Sequence, residues 1–290
     1  LDVERFSSLE GERKRLQTWS GIYDKLAHAV VGGRIPFAFS HVVVDEAQDL
    51  AVMQVRFLAA IADRRKDALF LAGDIGQRIF HLPFSWTRLG LDVRGRSHCL
   101  KVNYRTSHQI RVVADRLLPV EISDMDGIEE GRRGTVSVFD GPIPEIILAH
   151  DAVEEQKHVG GFLSNCLSTG IAGQQIAVLV RGQGQLGRAR AAVKAAGLDP
   201  LESGSVVIDV MHNAKGLEFQ AVAVMACDDD VLPDSGRLAA IGDLGDLEAA
   251  YETERHLLYV ACTRARDRLF ISGVAPGSDF IDDFQILRPQ

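Results

Sequence analysis

Short apolar runs alternate with helix-forming stretches along most of this chain. The runs at 41–44, 68–72 and 176–180 read HVVV, ALFLA and IAVLV, without the polar residue at every second position that a half-exposed strand carries. Strands of this kind are buried on both faces, which is typical of parallel sheets covered by helices. The alternation therefore predicts an α/β fold with parallel sheets flanked by helices.

The remaining elements follow the same order. Further strands are predicted at 99–102, 135–139, 206–210, 221–225 and 268–272, and helices at 10–31, 53–62, 107–118, 152–167, 186–196 and 247–264. The stretch 119–134 is rich in Gly, Asp and Glu, which indicates a connector. We predict a first lobe at 1–120, a connector at 121–134 and a second lobe at 135–290.

Composition excludes several classes of protein. A net charge of −8 over 290 residues excludes a uniformly basic surface, so any contact with nucleic acid must be a local cluster of Lys and Arg. No apolar run reaches the roughly 18 residues of a membrane helix, and no signal peptide is present, so no membrane partner is predicted. The four cysteines stand far apart without a CxxC pair, which argues against zinc and disulfides and favours the cytoplasm.

The sharpest motif follows the first apolar strand, at 42–49, and reads VVVDEAQD. Ligands of an open α/β sheet bind beyond the carboxyl ends of its strands. Two adjacent carboxylates there suit a metal–phosphate site, in which Asp45 binds Mg²⁺ and Glu46 deprotonates a water molecule. The alternative is a solvated acidic turn.

Two weaker motifs also follow predicted strands. The segment LAGDIGQRIF at 71–80 puts Gln77 where a polar side chain can sense a phosphate or orient water. The segment NYRT at 103–106 puts Arg105 beside an aromatic ring, Tyr104, so that one residue can bind a phosphate while the other stacks on a base. The alternatives are an ordinary glycine turn and a surface Arg–Tyr pair.

The second half of the chain contains two more motifs. In MHNAKGLEF at 211–219, Gly216 lets the backbone approach a ligand closely, and Glu218 can accept hydrogen bonds from a ribose. In ERHLLYVACTRA at 254–265, a helix with its apolar face in the core leaves Arg264 free to extend as an arginine finger. The alternative is that Arg255 and Arg264 are solvated or ion-paired helix residues.

In their order and spacing, DEAQD, GDIGQRIF, NYRT, HNAKGLEF and LLYVACTRA resemble motifs II to VI of the UvrD/Rep-type superfamily 1 helicases. The match extends from about residue 40 to residue 272. The resemblance implies two RecA-like lobes of the P-loop NTPase fold, the first of them incomplete, with ATP bound between them. It also implies ATP-driven movement along single-stranded DNA in the 3′→5′ direction.

The resemblance implies a role for each matching residue near the nucleotide. In the first lobe, Asp45 would bind Mg²⁺ and Glu46 would be the hydrolytic base. Gln77 and Arg105 would contact the γ-phosphate, and Tyr104 would stack on the adenine. In the second lobe, Glu218 would hold the ribose on a loop fixed by Lys215 and Gly216, and Arg264 would be the arginine finger.

Three residues are implied to lie near DNA: Phe80, Trp86 and His212. Here the chain departs from the family, which has a Tyr soon followed by a Trp, whereas Phe80 replaces the Tyr and the Trp comes only at position 86. Which ring stacks on a base is therefore left open. Val210 also replaces a hydroxyl residue two positions before His212, and the interval from Arg105 to His212 is too short for the accessory domain that the family usually inserts.

The largest departure is that the chain contains no GxxxxGK[ST] segment, whose backbone amides and Lys cradle phosphates. In the family this loop precedes the DEAQD strand, and the start at Leu1 leads us to expect it on a missing N-terminal part of the same protein. The chain alone is then expected to be inactive as an ATPase. The alternative is a non-hydrolysing, helicase-like DNA-binding or interaction subunit, although such a protein would have no chemical need for Glu46.

A second resemblance competes with the first. The strand at 176–180 is followed by Gly182, Gly184 and Gly187, with Glu202 further on, which formally matches a dinucleotide-binding fingerprint. The helicase family has a strand, loop and helix at the same point, so we favour the helicase interpretation over an oxidoreductase.

Overall fold

The structure is a computed structural model that describes residues 39–62, 67–80, 84–91, 93, 95–119, 121–123, 129–131, 135–202 and 204–285. The helix predicted at 10–31 lies outside these residues. The chain divides into two compact units, one formed by 1–97 with 123–129 and the other by 98–122 with 130–290. The lobe boundary inferred from the sequence, at 121–134, stays a prediction.

Seven helices and eleven strands lie in the described part of the chain. The helices are α1 Val52–Ile61, α2 His108–Ala114, α3 Ala152–Ser168, α4 Leu186–Ala195, α5 Ser235–Ala239, α6 Leu244–Cys262 and α7 Asp279–Gln285. The strands are β1 Val42–Val44, β2 Leu69–Leu71, β3 Val102–Asn103, β4 Glu121–Ser123, β5 Glu129–Gly131, β6 Val136–Ser137, β7 Glu145–Ala149, β8 Ile176–Val180, β9 Val207–Val210, β10 Phe219–Val224 and β11 Ala265–Val274.

The first unit contains the parallel pair β1–β2, in which Val43 lies opposite Phe70. One side of the pair is covered by a small cluster built on Val55, Phe84 and Trp86. Val43 and Phe70 point away from that cluster and are 73% and 61% exposed. The described part of this unit therefore buries only one face of its sheet.

The second unit is built on a five-stranded parallel sheet in the order β7-β11-β10-β8-β9. All five residues of β8 are buried, as their unbroken apolar run predicts. Helices α3 and α4 supply Val159, Leu163, Ala189 and Val193 to the cluster on one face. The other face receives Leu258 and Ala261 of α6, both fully buried. The prediction of parallel sheets flanked by helices is confirmed.

Several elements differ from their sequence-based prediction. Strand β7 was not predicted, because two prolines and a glycine in GPIPEIILAH indicate a turn that conceals the short run after it. Strand β3 is shorter than predicted and pairs with β6 in the second unit. The helix predicted at 107–118 ends at Ala114 and continues as a 3₁₀ turn at Asp115–Leu117. Within the described residues, no helix combines the length and the apolar character needed to cross a membrane.

Candidate functional site

Asp45 and Glu46 follow β1 directly and both are exposed. The backbone of Glu46 has φ of +52°, in the left-handed region that non-glycine residues rarely adopt. Its N–H donates to Oδ1 of Asp45 over 2.8 Å, which helps to hold this tight turn. Non-glycine residues in this conformation cluster at functional sites, so the backbone geometry is consistent with a functional role for this turn.

The side chain of Gln48 links this turn to the end of β2. It is 3% exposed, its Nε2 donates to Oε2 of Glu46, and its Oε1 accepts from the N–H of Asp74 over 3.1 Å. Gly73 makes room for it, since a Cβ at that position would lie 2.4 Å from Oε1 of Gln48. The glycine two residues after β2 is therefore explained by a side chain from the neighbouring turn.

Asp74 carries the hydrogen-bonded chain onward to Gln77. Its Oδ2 accepts from Nε2 of Gln77 over 2.7 Å, and its Oδ1 accepts from the N–H of Gly76 over 2.9 Å. Glu46, Gln48, Asp74 and Gln77 thus form one continuous chain across two strand ends. We call this chain the acid–amide network. It brings together Glu46 and Gln77, which the sequence placed at separate motifs.

The carboxylates at this turn are hard oxygen donors, the kind of ligand that Mg²⁺ uses. No group of three or more His, Cys, Asp or Glu side chains in the described residues converges on a common metal site. Mg²⁺ commonly uses one or two carboxylates and takes its other ligands from water and substrate phosphates. The exposed carboxylate of Asp45 fits that requirement.

The two aromatic candidates for DNA stacking differ in exposure. Trp86 is 9% exposed and packs edge to face on Phe84, with 4.7 Å between the ring centroids. Phe80 is 50% exposed. Phe80 therefore presents the more accessible ring, whereas Trp86 packs in the core of the first unit.

In the second unit, the structure brings NYRT and HNAKGLEF together. Nε of Arg105 donates to Oε2 of Glu218 over 3.1 Å, although the two residues are 113 positions apart. The turn that presents Arg105 is held by Asn103, whose Oδ1 accepts from the N–H of Arg105 over 2.8 Å and of Thr106 over 3.1 Å. The ring of Tyr104, on the same turn, is 74% exposed.

The loop between β9 and β10 is anchored at its start and open at its end. Met211 and Ala214 are fully buried, whereas Gly216 and Glu218 are exposed. Gly216 has φ of +79°, which explains why a glycine stands there. The preceding Lys215 is half-buried. The buried residues fix the loop, so that Glu218 is presented from a defined position.

The expectation that Arg264 extends freely from its helix is wrong. Helix α6 ends at Cys262, and the Arg264 side chain, 1% exposed, turns back on the helix end. Its Nε donates to the carbonyl of Val260 over 3.0 Å and its Nη1 to the carbonyl of Leu217 over 3.3 Å. A helix end leaves carbonyl groups without partners, and a guanidinium satisfies them well. Arg264 nevertheless lies against the loop that carries Glu218.

Two family models match segments of the chain that contain four of the five motifs. A family model of the UvrD-like helicase C-terminal domain matches residues 189–275, and a model of the UvrD/REP helicase N-terminal domain matches residues 21–84. The chain belongs to the UvrD/Rep-like superfamily 1 helicases. The resemblance inferred from the five ordered motifs is confirmed.

Curated helicases resemble the chain over short segments. It is 43% identical over 70 residues to the ATP-dependent DNA helicase UvrD1 of Mycobacterium leprae, which is 24% of this chain and 8% of that protein. It is 40% identical over 82 residues to the putative ATP-dependent DNA helicase YjcD of Bacillus subtilis, covering 28% and 10%. The chain thus matches about a tenth of the length of these relatives.

A solved structure described as the C-terminal domain of a possible DNA helicase from Lactobacillus plantarum is also similar. It is 20% identical with a TM-score of 0.44, and the match covers 63% of this chain and 94% of that one.

The dinucleotide-binding fingerprint at 182–187 lacks the close packing that its glycines should permit. The third glycine of such a fingerprint permits close contact between helix and strand. A Cβ at Gly184 or Gly187 would meet nothing within 4 Å among the residues compared. The geometry therefore gives no support to a dinucleotide site at this loop.

Several charged residues near the motifs had no role predicted from the sequence. Glu254 of α6 is fully buried, and both its oxygens accept hydrogen bonds from Arg181, which follows β8. Arg237 also donates to Glu254, over 3.0 Å. The burial of Glu254 was not predictable from its motif, but Arg181 directly follows an apolar strand, as Asp45 does. Its place at the end of a strand was therefore a feature of the sequence that could have identified Arg181 as a candidate site residue.

Proposed function

We propose that this chain is part of an ATP-dependent DNA helicase or translocase, which couples ATP hydrolysis to movement on single-stranded DNA in the 3′→5′ direction. The observation that carries the proposal is the acid–amide network. It joins the candidate base Glu46 to the candidate phosphate sensor Gln77 through Gln48 and Asp74. A chain of hydrogen bonds between two such groups allows a change at one of them to alter the position of the other.

The proposed catalytic residues activate the attacking water and neutralise negative charge on the phosphates. Glu46 orients and deprotonates the attacking water, and Gln77 responds to the presence of the γ-phosphate. Asp45 holds Mg²⁺, which neutralises charge on the phosphates when it is bound. Arg105 supplies further positive charge, and Arg264, whose Nη1 donates to a carbonyl of the loop that carries Glu218, is the candidate arginine finger.

The proposed nucleotide contacts lie on the turn and the loop of the second unit. Tyr104 presents an exposed ring for the adenine, and Glu218 accepts hydrogen bonds from the ribose. Lys215 and Gly216 hold the loop that carries Glu218. The side chains of Arg105 and Glu218 are each about half-exposed, so their ion pair is weak. ATP binding therefore has to break only a weak interaction.

Single-stranded DNA is the proposed track, with Phe80 and His212 as contacts. The exposed ring of Phe80 suits stacking on bases without sequence preference. Trp86 is the less favoured stacking residue because Phe84 covers its ring edge to face.

The proposed motor needs a phosphate-binding loop that these 290 residues do not contain. We propose that another part of the same protein, N-terminal to the motifs, supplies it. The short match to the curated helicases supports this, since their remaining length can hold such a segment. The chain by itself is expected to hydrolyse no ATP, because its carboxylates have no cradled phosphate to act on.

The test replaces the candidate base in the full reading frame. Glu46→Gln should reduce DNA-stimulated ATP turnover by at least about a hundredfold, in the range of general-base catalysis, while ATP binding is retained. Asp49→Asn, in the same motif, is the control and should keep turnover within a few-fold. Persistent turnover in Glu46→Gln would contradict the proposal. A full reading frame without a phosphate-binding loop and without ATPase activity would favour a non-hydrolysing subunit.

A further inference from the structure

A buried amide lies inside the exposed acidic turn that follows β1. Gln48 is 3% exposed, whereas Asp45 and Glu46 of the same motif are both exposed. Buried polar side chains are nearly always hydrogen-bonded, and Gln48 meets that requirement through both ends of its amide. Its Nε2 donates to Oε2 of Glu46, and its Oε1 accepts from the N–H of Asp74 over 3.1 Å. Gln48 therefore connects a candidate catalytic group to the end of the neighbouring strand.

The amide of Gln48 fits this position in one orientation. A carboxylate only accepts hydrogen bonds and a backbone N–H only donates them, so Nε2 must face Glu46 and Oε1 must face Asp74. A glutamate at position 48 would keep the contact with Asp74 and lose the contact with Glu46, because two carboxylates would then face each other. The glutamine at this position is therefore explained by its contact with Glu46.

Gly73 provides the slot in which this amide lies. A Cβ at Gly73 would be 2.4 Å from Oε1 of Gln48 and 3.2 Å from the backbone nitrogen atoms of Ala47 and Gln48. Its φ lies outside the positive range, so the glycine is needed for space rather than for its backbone conformation. The N–H of Ala47 donates to the carbonyl of Ala72 over 2.8 Å, and the N–H of Ala72 donates to the carbonyl of Val44 over 2.8 Å. These backbone bonds fix the two sides of the slot.

Glu46 is held at its backbone and at its carboxylate. Its backbone has φ of +52°, and its N–H donates to Oδ1 of Asp45 over 2.8 Å. Gln48 donates to Oε2, which leaves Oε1 as the oxygen that accepts a proton from water. The contact restricts the rotation of an otherwise exposed carboxylate. A general base needs this restriction, because proton transfer depends on the distance and direction of its oxygen.

We propose that Gln48, seated in the slot at Gly73, is a positioning residue that aims Oε1 of Glu46 at the attacking water. The inference rests on the proposed function, which makes Glu46 the base, and it adds a residue for which the sequence predicted no role. In that reaction the water oxygen bonds to the γ-phosphorus, one water proton passes to Glu46, and the bond from phosphorus to the ADP oxygen breaks. Gln48 exchanges no atom and no electron, so its contribution is geometric.

Steady-state ATPase kinetics of the full reading frame, at saturating single-stranded DNA, test the inference. Gln48→Glu should lower kcat at least about tenfold, because a small misplacement of a catalytic group is costly. The KM for ATP should stay within a few-fold of the wild-type value, because the contact is needed in the transition state rather than for binding. Gly73→Ala, whose methyl group displaces the amide of Gln48, should have the same effect.

Gln54→Ala is the matched control. The Gln54 side chain is half-buried and accepts from the N–H of Ala51 over 2.8 Å at the start of α1, a helix that carries none of the proposed catalytic residues. Its loss should lower the melting temperature and leave kcat unchanged. In single-turnover measurements, the double variant Glu46→Gln/Gln48→Glu should be as slow as Glu46→Gln alone, because a positioning residue has nothing to act on once the base is removed.

A wild-type kcat in Gln48→Glu would overturn the inference, as would an equal fold-loss from Gln48→Glu in the presence and in the absence of Glu46. A wild-type kcat in Gly73→Ala would overturn the role of the slot. Melting followed by circular dichroism establishes that each variant is folded, and Gly73→Ala supplies an independent reading if Gln48→Glu is not. The proposed function fails separately, through wild-type ATP turnover in Glu46→Gln itself.

Discussion

Single buried polar side chains decide where the candidate functional groups of this chain point. Gln48 joins Glu46 to the end of β2, and Glu254 holds two arginines at the end of β8. Both residues are at most 3% exposed. A buried polar group without hydrogen-bond partners costs free energy, and a buried charge costs more, so both kinds of residue persist only where their hydrogen bonds are satisfied.

The residue with the largest expected effect on stability is Glu254. Glu254→Ala leaves Arg181 nearly buried without its carboxylate, and we expect the free energy of unfolding to fall by about 3–5 kcal/mol. Glu252, on the same helix, has a side chain that is 52% exposed, 3.8 Å from Arg255. Glu252→Ala should cost less than about 1 kcal/mol. Urea denaturation measures the free energy of unfolding of both variants. Equal losses would show that the buried pair of Glu254 and Arg181 stabilises the fold no more than an exposed ion pair does.

The site could be predicted in part at the level of residues. Asp45 and Gln77 follow the ends of neighbouring strands as expected, because parallel strands end at a common edge. The exposure of individual side chains could not be predicted. Trp86 packs on Phe84 and Arg264 folds onto its own helix end, and both contacts depend on residues distant in the sequence or on the exact end of a helix.

Close packing between elements depends on the smallest side chains. Gly160 of α3 lies against the end of α4, and a Cβ there would be 3.1 Å from the carbonyl carbon and 3.2 Å from Cβ of Ala195. The next residue, Gly161, is exposed and would meet nothing within 4 Å. Two adjacent glycines of one helix therefore have different reasons to be there.

Alanine substitutions at these two glycines give a prediction, with Gly161→Ala as the control for Gly160→Ala. Gly161→Ala should stabilise the protein by about 0.5–1 kcal/mol, because alanine is the better helix former. Gly160→Ala should lose that gain and destabilise the fold, because α4 must shift to admit the new methyl group. Thermal unfolding distinguishes the two variants. Equal stabilisation by both would mean that the contact between α3 and α4 adapts freely.

Element type was easier to predict than element extent. The long apolar strands and amphipathic helices of the second unit were found because their period extends over many residues. Strand β7 was concealed by Pro142 and Pro144, and β3 is short because its neighbour β6 contributes only Val136–Ser137. Strand ends are set by pairing partners, and pairing is a tertiary property.

On the scale of the whole molecule, the two units differ in the size of their sheets. The first unit has two strands in its described residues, and one face of them is exposed at Val43 and Phe70. The second has five parallel strands with β8 buried throughout. Local stability follows the number of buried contacts, so the two sheets should open with different free energies.

Amide hydrogen exchange followed by mass spectrometry tests this difference. Peptides from β8 and β10 should exchange slowest, because their strands are central and covered on both faces. Peptides from β1 and β2 should exchange faster by orders of magnitude. Equal protection of the two sheets would show that the first unit is stabilised by contacts outside its own described core.

The order of the motifs was sufficient to establish the helicase family and the α/β class, because strand-end carboxylates and apolar periods are local features of a sequence. The arrangement of the side chains was settled by tertiary contacts. The acid–amide network, the pair of Arg105 with Glu218 and the buried carboxylate of Glu254 each join segments between 26 and 113 residues apart. Local periodicity carries no information on such contacts, since burial and hydrogen bonding depend on which surfaces meet when the chain folds.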